Sequence, residues 1–318
     1  MKKILIIRFS AIGDIVLASP IIRCVKLQTC AEVHFLTKKK HVSILESNPY
    51  IDKIISFNND FFNTASCLIK EKYNYVIDLQ SSIRSFLLKL CLKQKFYTIK
   101  KQNIEKFLLI NFNINLINNH VVERYFLPLK KINIINDHKG LDYFISPDVL
   151  VDFNLKEKFI AWCIGASYSN KALSATQIIS VSNKIRHPII LLGGKKEKLI
   201  ADTIMVESKN NKIYNFCGNL SLDESAYLIK KSALVLSNDT GLMHIASAFK
   251  KPIISFWGCT KPVLGFTPYL NKEKSIKIVA NPLKPPCSKH GQSCKFHNKG
   301  CVKEIKPRDI EKIVLDCF

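Results

Sequence analysis

Residues 234–244 read L-V-L-S-N-D-T-G-L-M-H, an apolar run that passes through Asp239, Thr240 and Gly241 into a helical pattern. The first turn of a helix leaves backbone N–H groups unpaired, and the helix dipole favours an anion at this end. Asp239 adds a carboxylate that can accept hydrogen bonds from hydroxyl groups. The stretch predicts a site for a phosphate beside a polyol, as in a nucleotide sugar. An Asp or Thr before a helix is also an ordinary helix cap.

A second turn of this kind lies near the start of the chain. The mostly apolar residues 4–9 predict a strand, and Ser10-Ala11-Ile12-Gly13-Asp14 follows it. The chain has neither G-x-G-x-x-G nor G-K-[ST], which argues against a classical dehydrogenase or NTPase. Asp14 is expected at the carboxyl end of the first strand, where open α/β sheets bind ligands. Its carboxylate can act as a general base or cap the first helix.

Apolar runs of strand length alternate with stretches of helical length along the chain. Five predicted strands precede residue 100 and five follow residue 158, a pattern typical of doubly wound parallel sheets. The polar stretch at residues 136–154 predicts a connection. We therefore expect two domains, residues 1–150 and residues 151–318, with a last helix that begins near Pro307.

Several motifs, in order, resemble glycosyltransferase family nine, the lipopolysaccharide heptosyltransferases. They are I-G-D-I-V-L-A-S-P at 12–20, Y-N-Y-V-I-D-L-Q at 73–80, H-V-V-E-R at 120–124, L-L-G-G-K-K-E at 191–197, S-N-D-T-G-L-M-H at 237–244 and W-G-C-T-K-P at 257–262. The resemblance spans nearly the whole chain. It implies the GT-B fold, in which two Rossmann-like domains face each other across a cleft, and transfer of a sugar with inversion.

The resemblance implies two residues in the chemistry. Asp14 matches the family's base, which removes a proton from the acceptor hydroxyl. Lys171, after Ile164-Gly165-Ala166, matches a lysine that contacts the donor phosphate and neutralises charge on the leaving group. This chain lacks the aromatic residue often found just beyond that lysine. An ordinary surface lysine remains the alternative.

Donor-binding and acceptor-binding positions also follow from the resemblance. On the donor side they are Glu197, Asp239, Thr240, Gly241 and His244; on the acceptor side they are Gly13, Arg84 and Arg124. Lys171 and Asp239 are expected to face a solvent-filled cleft. Three of these residues have ordinary alternatives: Glu197 as first-turn charge on a helix, His244 as a packed core residue, and Arg124 as an ion-pair partner of Glu123.

The expected reaction is transfer of a heptose from ADP-heptose to a lipopolysaccharide core or another anionic, lipid-linked saccharide. No cofactor is expected, and no catalytic metal, because the chain has no D-x-D signature for a divalent ion at a donor phosphate. Two alternatives remain at this point. One is a nucleotide-sugar epimerase of similar fold, and the other is a non-catalytic basic protein bound to a membrane or to nucleic acid.

The chain is strongly basic, with 48 Lys and Arg against 25 Asp and Glu and a net charge of +23. Such a charge attracts polyanions. No nucleic-acid-binding signature accompanies it, so we expect no nucleic acid partner. An anionic membrane surface suits the charge better, and so does a phosphorylated acceptor. We expect a cytoplasmic protein, with peripheral association at the inner membrane, although a compositional bias of the source would explain the scattered lysines equally well.

The sequence leaves one cysteine-rich segment unassigned. Cys287, Cys294 and Cys301 lie close together with His290 and His297 among them, a composition that suits zinc. None of the cysteines belongs to a C-x₂₋₄-C pair, and the further cysteine that family members often carry near Lys284 is absent. The spacing therefore favours a reduced, packed loop over a metal site.

Overall fold

The computed structural model of the chain describes residues 2–153, 155–271, 274–298 and 300–317. The chain divides into two compact units. The first comprises Met1–Lys101 and Asn119–Ser146, and the second comprises Gln102–Asn118 and Pro147–Phe318. No helix among the described residues is both long and apolar enough to cross a bilayer.

The first unit is built on a five-stranded sheet in which all pairs are parallel. In chain order its strands are β1 (Lys3–Ile7), β2 (Glu32–Lys38), β3 (Lys53–Phe57), β4 (Tyr75–Asp78) and β5 (Lys95–Thr98), arranged β3-β2-β1-β4-β5. Its helices are α1 (Ile12–Val16), α2 (Ser19–Thr29), α3 (Phe61–Lys70), α4 (Ile83–Leu92) and, after the excursion of the chain into the second unit, α6 (Val121–Phe126).

The centre of this sheet is β1, whose residues K-I-L-I-I are buried from Ile4 onward. Continuous apolar sequence of this kind is typical of parallel strands covered on both faces. The returning segment is fixed to the unit by Arg23 of α2, which is 3% exposed. Its guanidinium pairs with Asp137 at 2.8 Å and also with Asp142, so the loop that contains both carboxylates folds with the first unit.

The second unit contains a six-stranded parallel sheet. Its strands are β6 (Ile160–Cys163), β7 (Ile189–Leu192), β8 (Ile213–Asn215), β9 (Leu234–Asn238), β10 (Ile253–Trp257) and β11 (Ser275–Val279), arranged β11-β10-β9-β6-β7-β8. Its helices are α5 (Asn103–Phe112), α7 (Ala175–Ser182), α8 (Lys198–Glu207), α9 (Leu222–Lys231), α10 (Gly241–Ala248) and α11 (Pro307–Cys317).

The predicted alternation of strands and helices is confirmed, including the last helix from Pro307. The sequence pattern missed β11, which is an edge strand with two exposed residues and therefore lacks a continuous apolar run. The contacts divide the chain at Ser146, inside the predicted connection 136–154, of which Asn154 lies outside the described residues. Residues 102–118 fold with the second unit, although the sequence assigned all of 1–150 to one domain.

The reason for this excursion is apolar packing. Leu109 and Ile117 form a small buried group with Leu264 of the second unit. Lys295 also donates a 2.9 Å hydrogen bond to the carbonyl of Ile110, at the end of α5. An amphipathic segment follows whichever core accepts its apolar side chains, and its position in the sequence does not determine that choice.

Candidate active site

In the first unit the candidate base, Asp14, lies in the first turn of α1, directly beyond the end of β1. Its Oδ2 accepts a hydrogen bond from the N–H of Ala11 at 3.1 Å and pairs with Nη2 of Arg8 at 2.6 Å. Arg8 is itself held by the carbonyl of Ser10 at 2.8 Å and by that of Leu79. The carboxylate therefore caps the helix and is oriented by a buried cation.

One oxygen of this carboxylate remains available. Both contacts of Asp14 involve Oδ2, and no hydrogen bond from another described residue reaches Oδ1. The side chain is 26% exposed, whereas that of Arg8 is 10% exposed. Burial opposes the charge of Arg8, but the nearby Tyr125 and Asp14 raise the pKa of the guanidinium above its ordinary value. One side chain therefore caps the helix through Oδ2 and keeps Oδ1 as an acceptor.

Neither Arg8 nor Tyr125 was predicted as a site residue, and the structure relates both to Asp14. The charges of Arg8, Asp14 and Arg124 all act on the Tyr125 hydroxyl, so the two predicted site residues Asp14 and Arg124 share one electrostatic environment. Burial raises the pKa of Tyr125 to about 12, against the opposing effect of Arg8. The sequence signal for Arg8 is a cation placed immediately after a buried strand.

The remaining acceptor-side residues occupy different surroundings. Gly13 lies beside Asp14 in the first turn of α1. Arg124, in α6, is only 3% exposed, and it is therefore not a surface residue. Arg84, near the start of α4, is exposed, with its guanidinium 5.2 Å from the centre of the Phe57 ring.

A surface pocket of about 360 Å³ lies beside the start of α4, at the carboxyl ends of β4 and β5. Its polar lining comes from Asp78, Ser81, Ser82, Lys89 and Thr98. Arg84 is not among the lining residues. Asp78 is buried and accepts hydrogen bonds from the N–H groups of Gln80 and Ser81, so its carboxylate shapes the turn that forms the pocket wall.

In the second unit, Lys171 and Asp239 meet directly. Nζ of Lys171, at the end of the 3-10 turn Ser169–Lys171, lies 2.6 Å from Oδ2 of Asp239. The same Oδ2 accepts a 2.9 Å hydrogen bond from the hydroxyl of Thr260. The Lys171 and Asp239 side chains are 10% and 13% exposed. Each side chain is therefore largely enclosed by the other and by its neighbours, although neither belongs to the buried core. That both face a solvent-filled cleft stays a prediction.

The turn that presents Asp239 is fixed from both sides. Asn238 donates from Nδ2 to the carbonyl of Ile164 at 2.8 Å, and its Oδ1 accepts from the N–H of Leu173 at 3.3 Å. These bonds join the ends of β9 and β6. Thr240 is the N-cap of α10 and accepts from the N–H of Leu242 at 3.1 Å, while Gly241 is the first helical residue. The structure thus has the strand, turn and helix start that residues 234–244 predict.

Glu197 and His244 have clear structural roles. Oε2 of Glu197 accepts from the N–H of Gly194 at 2.8 Å, and the side chain lies against Gly165, where an added Cβ would be 3.4 Å from its Cδ. Burial, and secondarily the Glu197 charge, raises the pKa of the Cys217 thiol to about 12. His244 is 4% exposed on α10. Glu197 therefore caps its turn, and His244 belongs to the core side of its helix.

The cysteine-rich segment forms a compact group with a further cysteine from outside the segment. Cys259, from the W-G-C-T-K-P motif, joins Cys287, Cys294 and Cys301, and the four sulfur atoms lie within 4.8 Å of one another. We call these four residues the cysteine cluster. The fourth cysteine lies just beyond the end of β10, far from the other three in the sequence. The spacing of the three tail cysteines therefore could not reveal a group of four.

The two parallel-sheet units and their strand-end sites define the GT-B class of glycosyltransferases. The family model of glycosyltransferase family 9 (heptosyltransferase) matches residues 63–297. The chain belongs to this family, and it is a glycosyltransferase. Family membership excludes both alternatives left open by the sequence, the epimerase and the non-catalytic basic protein.

Some individual relatives match along nearly their whole length. Lipopolysaccharide heptosyltransferase 1 of Campylobacter coli is 27% identical over 348 residues, covering 99% of each chain. Two solved structures share the fold. E. coli ADP-heptose lps heptosyltransferase II has a TM-score of 0.72 at 18% identity, covering 100% of this chain and 98% of the other. E. coli heptosyltransferase WaaC with ADP has a TM-score of 0.74 at 16% identity, covering 99% and 100%.

Proposed function

We propose that this glycosyltransferase moves a heptose from ADP-heptose to a lipopolysaccharide core acceptor with inversion at the anomeric carbon. The observation that carries the proposal is Asp14, which stands at the end of β1 with Oδ2 bound to Arg8 and Oδ1 available. A base held in one orientation is what an inverting displacement requires. The names of the relatives, all heptosyltransferases, support the sugar and the acceptor.

In the proposed step, Oδ1 of Asp14 takes the proton of the acceptor hydroxyl. The acceptor oxygen forms a bond to the anomeric carbon as the bond from that carbon to the diphosphate oxygen breaks. The electron pair of the broken bond leaves with ADP. Arg8 holds the carboxylate of Asp14 in one orientation before the step, because its Nη2 lies 2.6 Å from Oδ2.

On the donor side, Lys171 provides the positive charge that meets the leaving diphosphate. Asp239, which accepts a hydrogen bond from Thr260, holds the ammonium of Lys171 in place, and α10 begins two residues beyond Asp239 with its N-terminus. Fixed cations and helix N-termini stabilise developing phosphate charge without the reorganisation that water would need. We therefore propose that transfer requires no divalent metal at the donor phosphate.

Transfer is tested by incubating the purified enzyme with ADP-heptose and a lipid A-linked core acceptor and determining the anomeric configuration of the product by NMR. An inverted product is expected; retention would contradict Asp14 as the base of a single displacement. Thermal shift with ADP, UDP and GDP identifies the donor class, and selective stabilisation by ADP is expected. Turnover should persist after brief EDTA treatment, and a loss that Mg²⁺ restores would contradict the metal-free mechanism.

We also propose that the enzyme works at an anionic membrane surface. The exposed face of α4 carries Ile83, Phe86, Leu87 and Leu90, which are 42–82% exposed, and the chain has a charge of +23. Apolar side chains beside basic ones suit the interface of an anionic bilayer. Co-sedimentation with anionic vesicles should fall in Phe86→Ser/Leu90→Ser and remain unchanged in the control Leu199→Ser, whose leucine is 80% exposed on α8.

A further inference from the structure

The cysteine cluster has the dimensions of a tetrahedral metal site. The Sγ atoms of Cys287, Cys294 and Cys301 lie 3.8, 3.6 and 3.3 Å from one another, and that of Cys259 lies within 4.8 Å of all three. Four sulfurs around one zinc ion at 2.3 Å are separated by about 3.8 Å. A disulfide requires about 2.05 Å, and all four cysteines are free thiols. We propose that the cluster binds one thiophilic metal ion, which we expect to be zinc.

The surroundings of the cluster support a metal more than a packed group of thiols. Cys259, Cys287 and Cys301 are buried, and Cys294 is half-buried. The N–H of His297 donates to Sγ of Cys294 at 3.2 Å, the kind of outer contact that orients a thiolate ligand. The N–H of Cys287 donates to the carbonyl of Cys259 at 2.9 Å, so the backbone brings the ends of two distant segments together.

The segment that contains the cluster has few other means of holding its shape. Between β11 and the 3-10 turn Cys301–Glu304, the described residues form neither helix nor strand. Loops of this length without secondary structure are uncommon in compact domains unless they have a function or a constraint. A metal ion that joins Cys287, Cys294 and Cys301 to Cys259, just beyond β10, supplies that constraint, because its binding free energy becomes folding free energy.

The metal-bound loop forms part of the enclosure of the Lys171–Asp239 pair. Thr260, next to Cys259, donates the hydrogen bond to Asp239. Gly291 lies against Lys171, since a Cβ atom there would be 2.5 Å from Cγ of the lysine. The neighbouring Gln292 accepts a hydrogen bond from Nδ2 of Asn170 at 3.0 Å. The ion therefore has a positioning role: it holds the loop that fixes Lys171, and it takes no part in the transfer step.

Elemental analysis of the purified wild-type enzyme tests the metal directly and needs no activity measurement. One zinc ion per chain is expected, also in the control Cys24→Ser, whose cysteine is buried in the first unit. Cys259→Ser and Cys287→Ser should each lose the metal. If these variants do not fold, Co²⁺ substitution of the wild type should give the visible bands of tetrahedral cobalt thiolate. Iron in place of zinc would overturn the choice of metal, and no metal after zinc reconstitution would overturn the site.

The positioning role rests on the proposed function of Lys171 and is tested separately. Removing the metal with a thiophilic chelator under reducing conditions should weaken ADP binding at least tenfold in calorimetry, while circular dichroism shows the strands and helices retained. Unchanged ADP affinity in the metal-free protein would overturn the link to Lys171. A protein that binds zinc but transfers no sugar would contradict the proposed function and leave the metal site intact.

Discussion

The two units each place an aspartate and a cation just beyond the ends of their central strands, but the two pairs differ in exposure. In the Arg8–Asp14 pair the cation is buried and the carboxylate is 26% exposed, with one oxygen unengaged by described residues. In the Lys171–Asp239 pair both side chains are largely enclosed, and Asp239 also accepts from Thr260. The same chemical pair thus serves two purposes: in the first unit the cation orients a reactive carboxylate, and in the second the carboxylate orients a cation.

The largest expected effect concerns the exposed carboxylate. Asp14→Asn should lower turnover by about 10²–10⁴-fold, because asparagine keeps the size and the capping oxygen but cannot take a proton. Steady-state kinetics measures the loss, and calorimetry should show ADP affinity within a few fold of wild type. The matched control is Asp60→Asn, which alters an aspartate that caps α3 in the same unit. Retention of more than about a tenth of wild-type turnover would show that Asp14 is only a cap.

The enclosed pair should respond in stability as well as in binding. Asp239→Ala leaves the ammonium of Lys171 enclosed without its partner. Breaking a buried ion pair in this way should lower the free energy of unfolding by about 3 kcal/mol. Chemical denaturation measures the change, and ADP affinity should fall with it. The exposed pair Lys212–Glu157 provides the comparison, since Glu157→Gln should cost less than about 1 kcal/mol. If both variants lowered the free energy of unfolding equally, the enclosed and the exposed pair would not differ in their contribution to stability.

A smaller effect separates capping from phosphate binding at α10. Thr240→Ala removes the acceptor for the N–H of Leu242 and should destabilise the protein by about 1 kcal/mol. Ser221→Ala removes the equivalent cap of α9, a helix that contributes none of the predicted donor residues, and should cost a similar amount. Only Thr240→Ala should also weaken ADP binding. If the two variants bind ADP equally well, the N-terminus of α10 does not contact the nucleotide.

The smallest effect distinguishes the two units by pH. Hydrogen bonds from Lys3 and Lys53 lower the pKa of Glu71 in the first unit from 4.5 to about 2. The pKa is also lowered for three more carboxyls of this unit, Glu32, Asp52 and Asp137. In the described part of the second unit, Glu224 is the only carboxyl with a lowered pKa. A carboxyl whose pKa is lower in the folded state stabilises above its unfolded pKa, and this contribution is lost as the pH falls.

Acidification from about pH 5 to pH 3 should therefore loosen the first unit before the second. Hydrogen exchange followed by mass spectrometry reports each unit separately. Faster exchange in β1 and β4 at low pH, with β6 and β9 still protected, is the expected result. The double variant Lys3→Met/Lys53→Met should abolish much of the difference, because it removes the partners of Glu71. Simultaneous loss of protection in both units would contradict this account.

The sequence by itself determined what depends on neighbours along the chain. Apolar runs of strand length predicted ten of the strands as members of parallel sheets, and the polar residues that follow residues 4–9 and 234–237 marked the strand ends where Asp14 and Asp239 stand. The motif order also identified the family. These inferences succeed because burial of a strand and capping of a helix are set by residues within a few positions of each other.

Only the tertiary structure decided which distant side chains meet. Arg8 lies beside Asp14, Lys171 pairs with Asp239, and Cys259 completes the cysteine cluster. The sequence placed Lys171 and Asp239 on the donor side but did not predict their ion pair or the part of Cys259 in the cluster, since no local period relates a turn after β6 to one after β9, or the end of β10 to a loop beyond β11. A parallel sheet gathers the carboxyl ends of its strands at one edge, and that gathering follows from the order of strands in space.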